Sequence, residues 1–287
     1  MSGEFPRISV LVRAHNDEVL VERTLKGVFS QTISPFEVVV CDDESTDRTR
    51  EVAAKFPVRF FTRPAGAYKP GKTLNALVAD AKGDIVVFNN SDAVPYGDNW
   101  LEELVKPLLS GKRVFAFANQ LPRADAAALV RKDNERAFGD GKVQATWRFF
   151  FSLASAATWR QNLVEVPFDE QIQYSEDVEW AWTNSRRETD TIKIVYCPES
   201  KVEHSHNYTI RELWKRFRGE GVADREIYGD SPSLFRELLS AARETFRDWA
   251  YLLPKPASWH EMPTSPLRRL TQRLAHWCGA RSQAKNQ

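Results

Sequence analysis

An α/β fold, with a mostly parallel central sheet and helices on both faces, is predicted by three features of the first hundred residues. Short apolar runs alternate with helical patterns, the rhythm of βαβ units. Val38, Val39 and Val40, and Ile85, Val86 and Val87, form unbroken β-branched runs, which suit strands buried on both sides. Polar residues crowd where the runs end: His15, Asn16 and Asp17 after the first, Asp42, Asp43 and Glu44 after the second, and Asn89 to Asp92 after the fourth. Ligands of open α/β sheets bind beyond the carboxyl ends of the strands, so three polar clusters at three such ends point to one cleft.

In order, strands are expected from Ile8 to Val12, Phe36 to Cys41, Val58 to Phe61 and Ile85 to Phe88, each a short apolar run. Helices are expected between them, from Val19 to Gln31, Thr46 to Lys55 and Thr73 to Lys82. Beyond Leu101 the pattern loosens. A helix reaches about Leu109, a strand covers Val114 to Ala118, and an aromatic-rich run extends from Trp147 to Phe151. Another helix starts near Ser175, and a strand covers Ile192 to Tyr196. Thr209 and Glu212 make a T-x-x-E capping box; Ile210, Leu213, Trp214 and Phe217 follow at helical spacing, and Gly219 and Gly221 are expected to end that helix. A further helix covers Leu234 to Leu253, stopped by Pro254 and Pro256, and a last one follows Pro266. The division this implies is a catalytic domain over residues 1–221 and a helical extension over 222–287.

The 287-residue chain is 42% apolar, enough for a sizeable core in one large domain or two small ones. Its net charge of +1 lacks the overall electrostatic signature of a nucleic-acid binder, so any charged partner is met by a local patch. Cys41, Cys197 and Cys278 are far apart and fit neither a disulfide framework nor a CxxC metal site; reduced thiols and a cytosolic setting are expected. The stretch from Met1 to Arg7 lacks signal-peptide character, and no stretch reaches the roughly 18 apolar residues of a membrane span. No glycine-rich phosphate loop follows the first strand, which argues against a nucleotidyltransferase, and the absence of G-x-G-x-x-G argues against a dinucleotide oxidoreductase.

Several residue groups can carry chemistry. Asp42 and Asp43 precede Glu44-Ser45-Thr46-Asp47. They read either as a solvated turn with Ser45 or Thr46 capping the next helix, or as a site where a carboxylate accepts the imide N–H of uracil or thymine, a donor cytosine lacks. In Asn90-Ser91-Asp92, two oxygen-bearing side chains two residues apart leave a strand towards one side. That suits a hard cation such as Mg²⁺ whose other positions are filled by diphosphate and water; a polar Asx turn before Pro95 accounts for the same letters. Asn90 is neutral where a second carboxylate would add charge, a loss on the order of kcal/mol at an effective dielectric near 20, so the metal is expected to arrive with the nucleotide. Glu176 and Asp177 stand at a helix start in Ser175-Glu176-Asp177-Val178-Glu179-Trp180. Acids there complement the helix dipole, or one of them removes the proton of an acceptor hydroxyl as it attacks an anomeric carbon. The helix end should depress that carboxylate's pKa. His204 and His206 flank Ser205 and face one side of an extended chain, as surface residues or with one as a metal ligand that would shift preference towards Mn²⁺. Lys72 and Asn75, after Pro70-Gly71, either line the pocket or start a helix.

Taken together in order, these residues resemble the family 2 glycosyltransferases. The parts are Val10-Leu11-Val12-Arg13-Ala14-His15-Asn16, Ser30-Gln31-Thr32, Val40-Cys41-Asp42-Asp43-Glu44-Ser45-Thr46-Asp47, Asn75 with Ala81-Lys82-Gly83-Asp84, Asn90-Ser91-Asp92-Ala93, and Glu176-Asp177. Within that family, Gln120-Leu121-Pro122-Arg123-Ala124-Asp125-Ala126, Glu176 to Ala181 and His204-Ser205-His206-Asn207-Tyr208-Thr209 look like the bacterial rhamnosyltransferases of surface-polysaccharide assembly. The resemblance implies the GT-A nucleotide-diphospho-sugar transferase fold. It also implies that Asp43 reads the pyrimidine, that Asp92 with Asn90 fills the DxD metal and diphosphate site, and that Asp177 is the base of an inverting displacement. The family's usual DxD begins with Asp, from which Asn90 departs.

The expected function is transfer of a sugar, rhamnose or another hexose, from a dTDP- or UDP-sugar to an acceptor hydroxyl of a glycan or glycolipid. Expected catalytic residues are Asp177 and Glu176; nucleotide-sugar contacts are Arg13, Asp43, Lys72, Asn75, Asn90, Ser91 and Asp92; ligands to a Mg²⁺ or Mn²⁺ cofactor are Asp92, Asn90 and His204. No nucleic acid is expected as partner. The alternative is an inactive family member that binds a nucleotide sugar or glycan, against which the joint presence of Asp43, Asp92 and Asp177 argues. A lipid-borne acceptor would bring this cytoplasmic protein to the inner face of the membrane. From Pro263 to Gln287 there are five basic residues and no acid, with Leu267, Leu270, Leu274 and Trp277 at helical spacing and Arg268, Arg269 and Arg273 on other faces, as an interfacial helix requires. The same helix could instead pack its leucines on the catalytic domain and leave its arginines in water.

Overall fold

The structure, a computed structural model, describes residues 5–139, 141, 149–229 and 231–282. Trp147 of the aromatic run and residues 283–287 of the C-terminal segment lie outside them. In chain order the elements are β1 (Ile8–Ala14), α1 (Leu20–Phe29), β2 (Glu37–Asp42), α2 (Thr49–Ala53), β3 (Arg59–Phe61), α3 (Pro70–Asp80), β4 (Ile85–Asn90), β5 (Val94–Pro95), α4 (Trp100–Leu109), β6 (Val114–Leu121) and α5 (Ala128–Phe138). They continue with β7 (Ser155–Trp159), α6 (Arg160–Glu165), α7 (Glu176–Ser185), β8 (Lys193–Glu203), α8 (Ile210–Tyr228), α9 (Leu234–Leu252), a 3-10 turn over Pro256–Glu261, and α10 (Ser265–Arg281). Contacts divide the chain into two compact units. The first comprises Met1–Arg123, Ala137–Gln171 and Glu176–His204; the second comprises Ala124–Arg136, Ile172–Ser175 and Ser205–Gln287.

The first unit carries an eight-stranded sheet in the order β3-β2-β1-β4-β7-β6-β8-β5. β1 to β4 run parallel, as does the pair β6 and β8, while β7 and β5 are antiparallel to their neighbours. Val10, Val12, Val38 and Val40 face one apolar layer with Leu25, Trp100 and Leu104; Leu11, Val39, Val86 and Phe88 face the other with Leu74, Leu77 and Trp180. Alternate residues of one strand therefore serve opposite layers, which is why the runs are apolar without a break. Each such side chain contributes about 1.5–3 kcal/mol by leaving water.

β7, like the two-residue β5, is a strand that sequence patterning misses. Ser155-Ala156-Ala157-Thr158-Trp159 has mostly small residues of weak strand preference, yet it pairs between β4 and β6. Its polar groups are matched inside the sheet: Trp100 Nε1 donates to Ser155 Oγ at 3.0 Å, and Thr158 Oγ1 donates to Val114 O at 2.7 Å. A register shift between Ala118 and Asn119 lets the last residues of β6 pair with Lys201, Val202 and Glu203. That irregularity places Arg123 and His204 just beyond the same end of the sheet, and His204 N–H donates to Leu121 O at 2.9 Å.

The second unit is built from α8, α9, α10 and most of α5. Thr209 and Glu212 form the expected capping box, each side chain taking the other's backbone N–H. The helix does not end at Gly219 or Gly221, however; it runs on to Tyr228 and stops at Gly229, which sits in the left-handed region at φ 68°. The division after Gly221 thus falls inside α8. Gly221 and Gly279 instead mark where α8 and α10 touch backbone to backbone: a Cβ at Gly221 would lie 2.1 Å from His276 O, and one at Gly279 would lie 2.0 Å from Arg218 O.

In α10 the exposed Leu267 and Leu270 depart from the alternative that packs the leucines inward, and Arg269 is buried where both alternatives leave it outside. Arg269 is 5% exposed and gives bidentate hydrogen bonds to Asp133 (2.9 and 2.8 Å) and to Asp248 (2.7 Å each), whereas Leu267 is 56% exposed. Asp248 is wholly buried and also accepts from Lys132 Nζ (2.6 Å) and Ser265 Oγ (2.6 Å). Charge-assisted bonds of this kind answer the desolvation of the carboxylate, whose pKa is held below the usual range against the opposing effect of burial. Glu261 from the 3-10 turn accepts the N–H groups of Ala128 and Leu129, supplying α5 with a cap its own sequence lacks.

Candidate active site

All the strand exits singled out from sequence belong to the first unit, and their loops are tied together. Asn16 accepts Thr46 N–H through Oδ1 (2.8 Å) and donates its own N–H to Ser45 Oγ (2.9 Å), while His15 Nδ1 lies 2.7 Å from Asp43 O. Asn16, Glu44 and Ser175 adopt φ of 55°, 54° and 58°. Such backbone costs a non-glycine residue on the order of 1–3 kcal/mol, and here it aims the residues next to it. The Asp43 carboxylate pairs with Arg63 Nε, and Arg63 also reaches Glu44 Oε1 at 3.0 Å. Ser91 turns inward: its hydroxyl donates to Asp17, and its carbonyl accepts from Thr24 Oγ1 at 2.7 Å. Burial raises the pKa of Asp17 above the usual carboxylate range.

Arg13, near the end of β1, joins the centre of this arrangement. Its Nη1 donates to Glu176 Oε1 at 3.0 Å and its Nη2 to Asn90 Oδ1 at 3.1 Å, and the Tyr68 hydroxyl is a third partner. Burial works to lower the Arg13 pKa, but Glu176 and its other anionic neighbours raise it overall. Asp177 is held differently. Its Oδ2 accepts Leu153 N–H at 3.2 Å and its Oδ1 accepts Val178 N–H at 2.9 Å. Burial first, and the charge of Glu176 second, push its pKa up to about 6, against the pull of those N–H groups and Arg13. The depressed value expected from the helix start is therefore corrected: the helix does supply an N–H, but desolvation and an adjacent like charge outweigh it.

Asp92 is buried beside two basic side chains. Arg123 Nη2 donates to its backbone oxygen (2.7 Å) and approaches its Oδ2 (3.2 Å); His204 Nε2 stands 3.5 Å from its Oδ1. His204 Nδ1 donates to Gln120 Oε1 at 2.7 Å, and Gln120 Nε2 donates onward to Ser152 Oγ at 2.8 Å. That chain orients the ring so that Nε2 faces Asp92. Two ligands on adjacent corners of an octahedral ion stand about 3 Å apart, so the Asp92 and His204 donors fit a divalent cation after a small adjustment. A carboxylate oxygen with an imidazole nitrogen suits Mn²⁺ better than Mg²⁺. Asn90 Oδ1 is turned to Arg13. His206 belongs to the second unit, where it stacks on Tyr208 with centroids 5.0 Å apart.

Two other sequence candidates are placed differently. Asn75 Nδ2 donates to Phe168 O (2.9 Å) and Glu170 Oε1 (3.1 Å) while its Oδ1 accepts Phe168 N–H (3.0 Å), so both ends of its amide brace the segment after α6. Lys72 is exposed on the first turn of α3. Sequence reasoning misses Arg63, Tyr68 and Arg123. Arg63 lies two residues past β3 and Arg123 two residues past β6, so the strand-exit rule that found Asp43 and Asp92 would have found both.

The profile of the family described as glycosyl transferase family 2 matches residues 9–166. The chain is 31% identical to the O-antigen chain rhamnosyltransferase WbaN of Salmonella anatum, across 76% of its own length and 70% of that protein. Glucosyl-3-phosphoglycerate synthase from Mycobacterium tuberculosis, solved with Mn²⁺ and UDP-glucose, is similar in fold at a TM-score of 0.59 and 23% identity, covering 79% of this chain and 81% of that one. The mannosyltransferase PcManGT from Pyrobaculum calidifontis, solved with GDP-mannose and Mn²⁺, is similar at a TM-score of 0.62 and 19% identity, covering 94% and 88%.

Proposed function

The chain belongs to glycosyl transferase family 2 and has the GT-A fold, and on that premise we propose that it moves a sugar, rhamnose or another hexose, from a dTDP- or UDP-sugar to a hydroxyl of a glycan or glycolipid in surface-polysaccharide assembly, with inversion. The observation that carries the reading is the division of labour between Glu176 and Asp177. Glu176 is fixed by Arg13, while burial and the Glu176 charge push the Asp177 pKa up to about 6, towards the range where a general base works best. Asp177 takes the acceptor's hydroxyl proton. The acceptor oxygen bonds to the anomeric carbon as the bond from that carbon to the diphosphate oxygen breaks, and the nucleoside diphosphate leaves with the electron pair. Attack opposite the leaving group inverts the centre.

A divalent ion held by Asp92 and His204, with Asn90 beside them, would neutralise charge on the departing diphosphate. Asp43, positioned by Arg63, accepts the imide N–H of the pyrimidine, and Ser91 and Asp17 keep the β4 exit in place. Lys72 and Arg13 supply positive charge towards the diphosphate, and Asn75 keeps α3 braced. Among the described residues no helix is long and apolar enough to cross a membrane. The reading places the enzyme in the cytoplasm, meeting its acceptor at the inner face of the cell membrane.

A panel of nucleotide sugars, with and without Mn²⁺, tests this by two readouts, slow donor hydrolysis and protection against thermal unfolding. One dTDP- or UDP-sugar should be hydrolysed and should protect in the presence of Mn²⁺, by about 2.7 kcal/mol at a hundredfold excess over its Kd. Protection without hydrolysis, and without transfer to any acceptor, would instead identify a nucleotide-sugar-binding protein and refute the enzyme.

A further inference from the structure

α9 stands the wrong way round for a surface helix. Amphipathic helices of globular units turn their apolar stripe to the core. Here Glu237, Glu244 and Asp248 are buried, while Phe235, Leu239, Phe246 and Leu253 are 77, 60, 66 and 59% exposed. With Ala242 and Ala250 these residues advance by three or four positions at a time, so they form one stripe about 27 Å long at about 1.5 Å per residue. Leu239, Ala242, Phe246 and Ala250 line an open hollow together with Arg243 and Arg247. Arg236 and Arg243 are exposed beside the stripe, and every acid of the helix faces inward. Those acids are matched there: Glu237 lies 3.7 Å from Arg273, Glu244 3.1 Å from Arg136, and Asp248 2.7 Å from Arg269.

We propose that this face of α9 docks on an anionic lipid leaflet, with Phe235, Leu239, Phe246 and Leu253 entering the headgroup boundary and Arg236 and Arg243 meeting lipid phosphates. A continuous exposed apolar stripe marks an interaction surface, and aromatic and aliphatic groups flanked by arginines suit a helix lying in the plane of the interface. Charge selects the occupant. In a two-fold dimer the same patch meets itself, so a second copy would set one arginine-bearing face of α9 against another with no acid of the helix on either to offset the charge. A leaflet of anionic headgroups supplies negative charge along the whole stripe. In α10, by contrast, Arg269 and Arg273 are paired with Asp133, Asp248 and Glu237.

Flotation of the full chain with phosphatidylcholine vesicles, with or without phosphatidylglycerol, provides the test at low ionic strength. The protein should float only with phosphatidylglycerol, and raised salt should release it. Arg236→Gln with Arg243→Gln should lower partitioning about 25-fold, at about fivefold per basic residue. Phe235→Ser with Phe246→Ser should abolish flotation. Both double variants change exposed side chains outside the catalytic unit, so melting temperature and hydrolysis of a soluble donor should stay as in wild type. The proposal is overturned if the wild type ignores phosphatidylglycerol vesicles, or if the Phe235→Ser, Phe246→Ser variant floats as well as wild type. A solution dimer that the same variant converts to monomer would give the face to a second copy, and would equally overturn it.

Discussion

If Asp177 is the base, the acidic limb of kcat/KM should report its raised pKa, and replacing its neighbour should move that limb in a known direction. With a pKa of about 6, the ionised fraction falls to about half at pH 6 and to about a tenth at pH 5, and activity should follow. Glu176 is the largest charge raising that pKa, so Glu176→Gln should shift the limb towards acid. Asp177→Asn should remove the limb and lower transfer by about 10² to 10⁴, with donor binding by calorimetry retained. The same shift predicts stability with the opposite sign. A carboxyl whose folded pKa lies above its unfolded value penalises the native state as pH rises from the unfolded pKa to the folded one, and the penalty is complete above the latter. From 3.8 to about 6 this amounts to at most about 3 kcal/mol, so Asp177→Asn should melt above wild type at pH 7, and the gap should close below about pH 4. The assay is a pH–rate series with saturating donor and a soluble acceptor, beside thermal melts of both proteins. A flat profile between pH 5 and 7.5, or a limb that Glu176→Gln moves towards alkali, would refute the assignment.

Asp92→Ala should abolish the metal-dependent part of nucleoside diphosphate binding, and Asp43→Ala should weaken binding with or without metal; calorimetry of UDP and dTDP against each variant separates the two. Asp248→Asn leaves Lys132 and Arg269 without their shared carboxylate and should cost about 3–5 kcal/mol in denaturant melts of the second unit. Because the folded pKa of Asp248 is depressed, its contribution is present above the unfolded carboxylate pKa and is lost as pH falls through the folded one. Deleting residues 263–287 removes Arg269 and should destabilise the unit in the same way, as seen by circular dichroism. Gly279→Leu drives a side chain into Arg218 O and should cost about 3 kcal/mol or more, whereas Gly229→Ala, in open space at positive φ, should cost only about 1 kcal/mol.

The parallel half of the sheet was readable because β1, β2 and β4 carry their own signal, with β-branched residues serving two layers. β7 has none: its small residues become a strand only because β4 and β6 leave a gap that fits them. Gly219 and Gly221 obey a local rule for helix ends, and nothing local distinguishes a terminating glycine from one that lets two backbones touch. The period of α9 and α10 shows two faces without showing which is inside, since that depends on the distant acids and bases that meet them. In the site, the acids that can hold a cation or take a proton are legible from residue type and strand exit or helix start alone. Arg63 and Arg123 carry the opposite charge and stand at other strand exits, those of β3 and β6. The sign of the Asp177 shift was beyond sequence altogether, because burial is a property of the whole packed unit.

Arg13 has only one guanidinium, and it is shared between Asn90 at a strand exit and Glu176 beside the base. Any anion that draws it off Glu176 removes a positive charge that holds the Asp177 pKa down, so the affinity of Asp177 for a proton rises. Linkage makes the effect mutual: the factor by which such a donor strengthens proton binding is the factor by which a proton strengthens donor binding. Donor association near pH 6 is then accompanied by proton uptake, and its calorimetric heat varies with the ionisation enthalpy of the buffer. Loading the donor and protonating the base become a single equilibrium, written through one side chain.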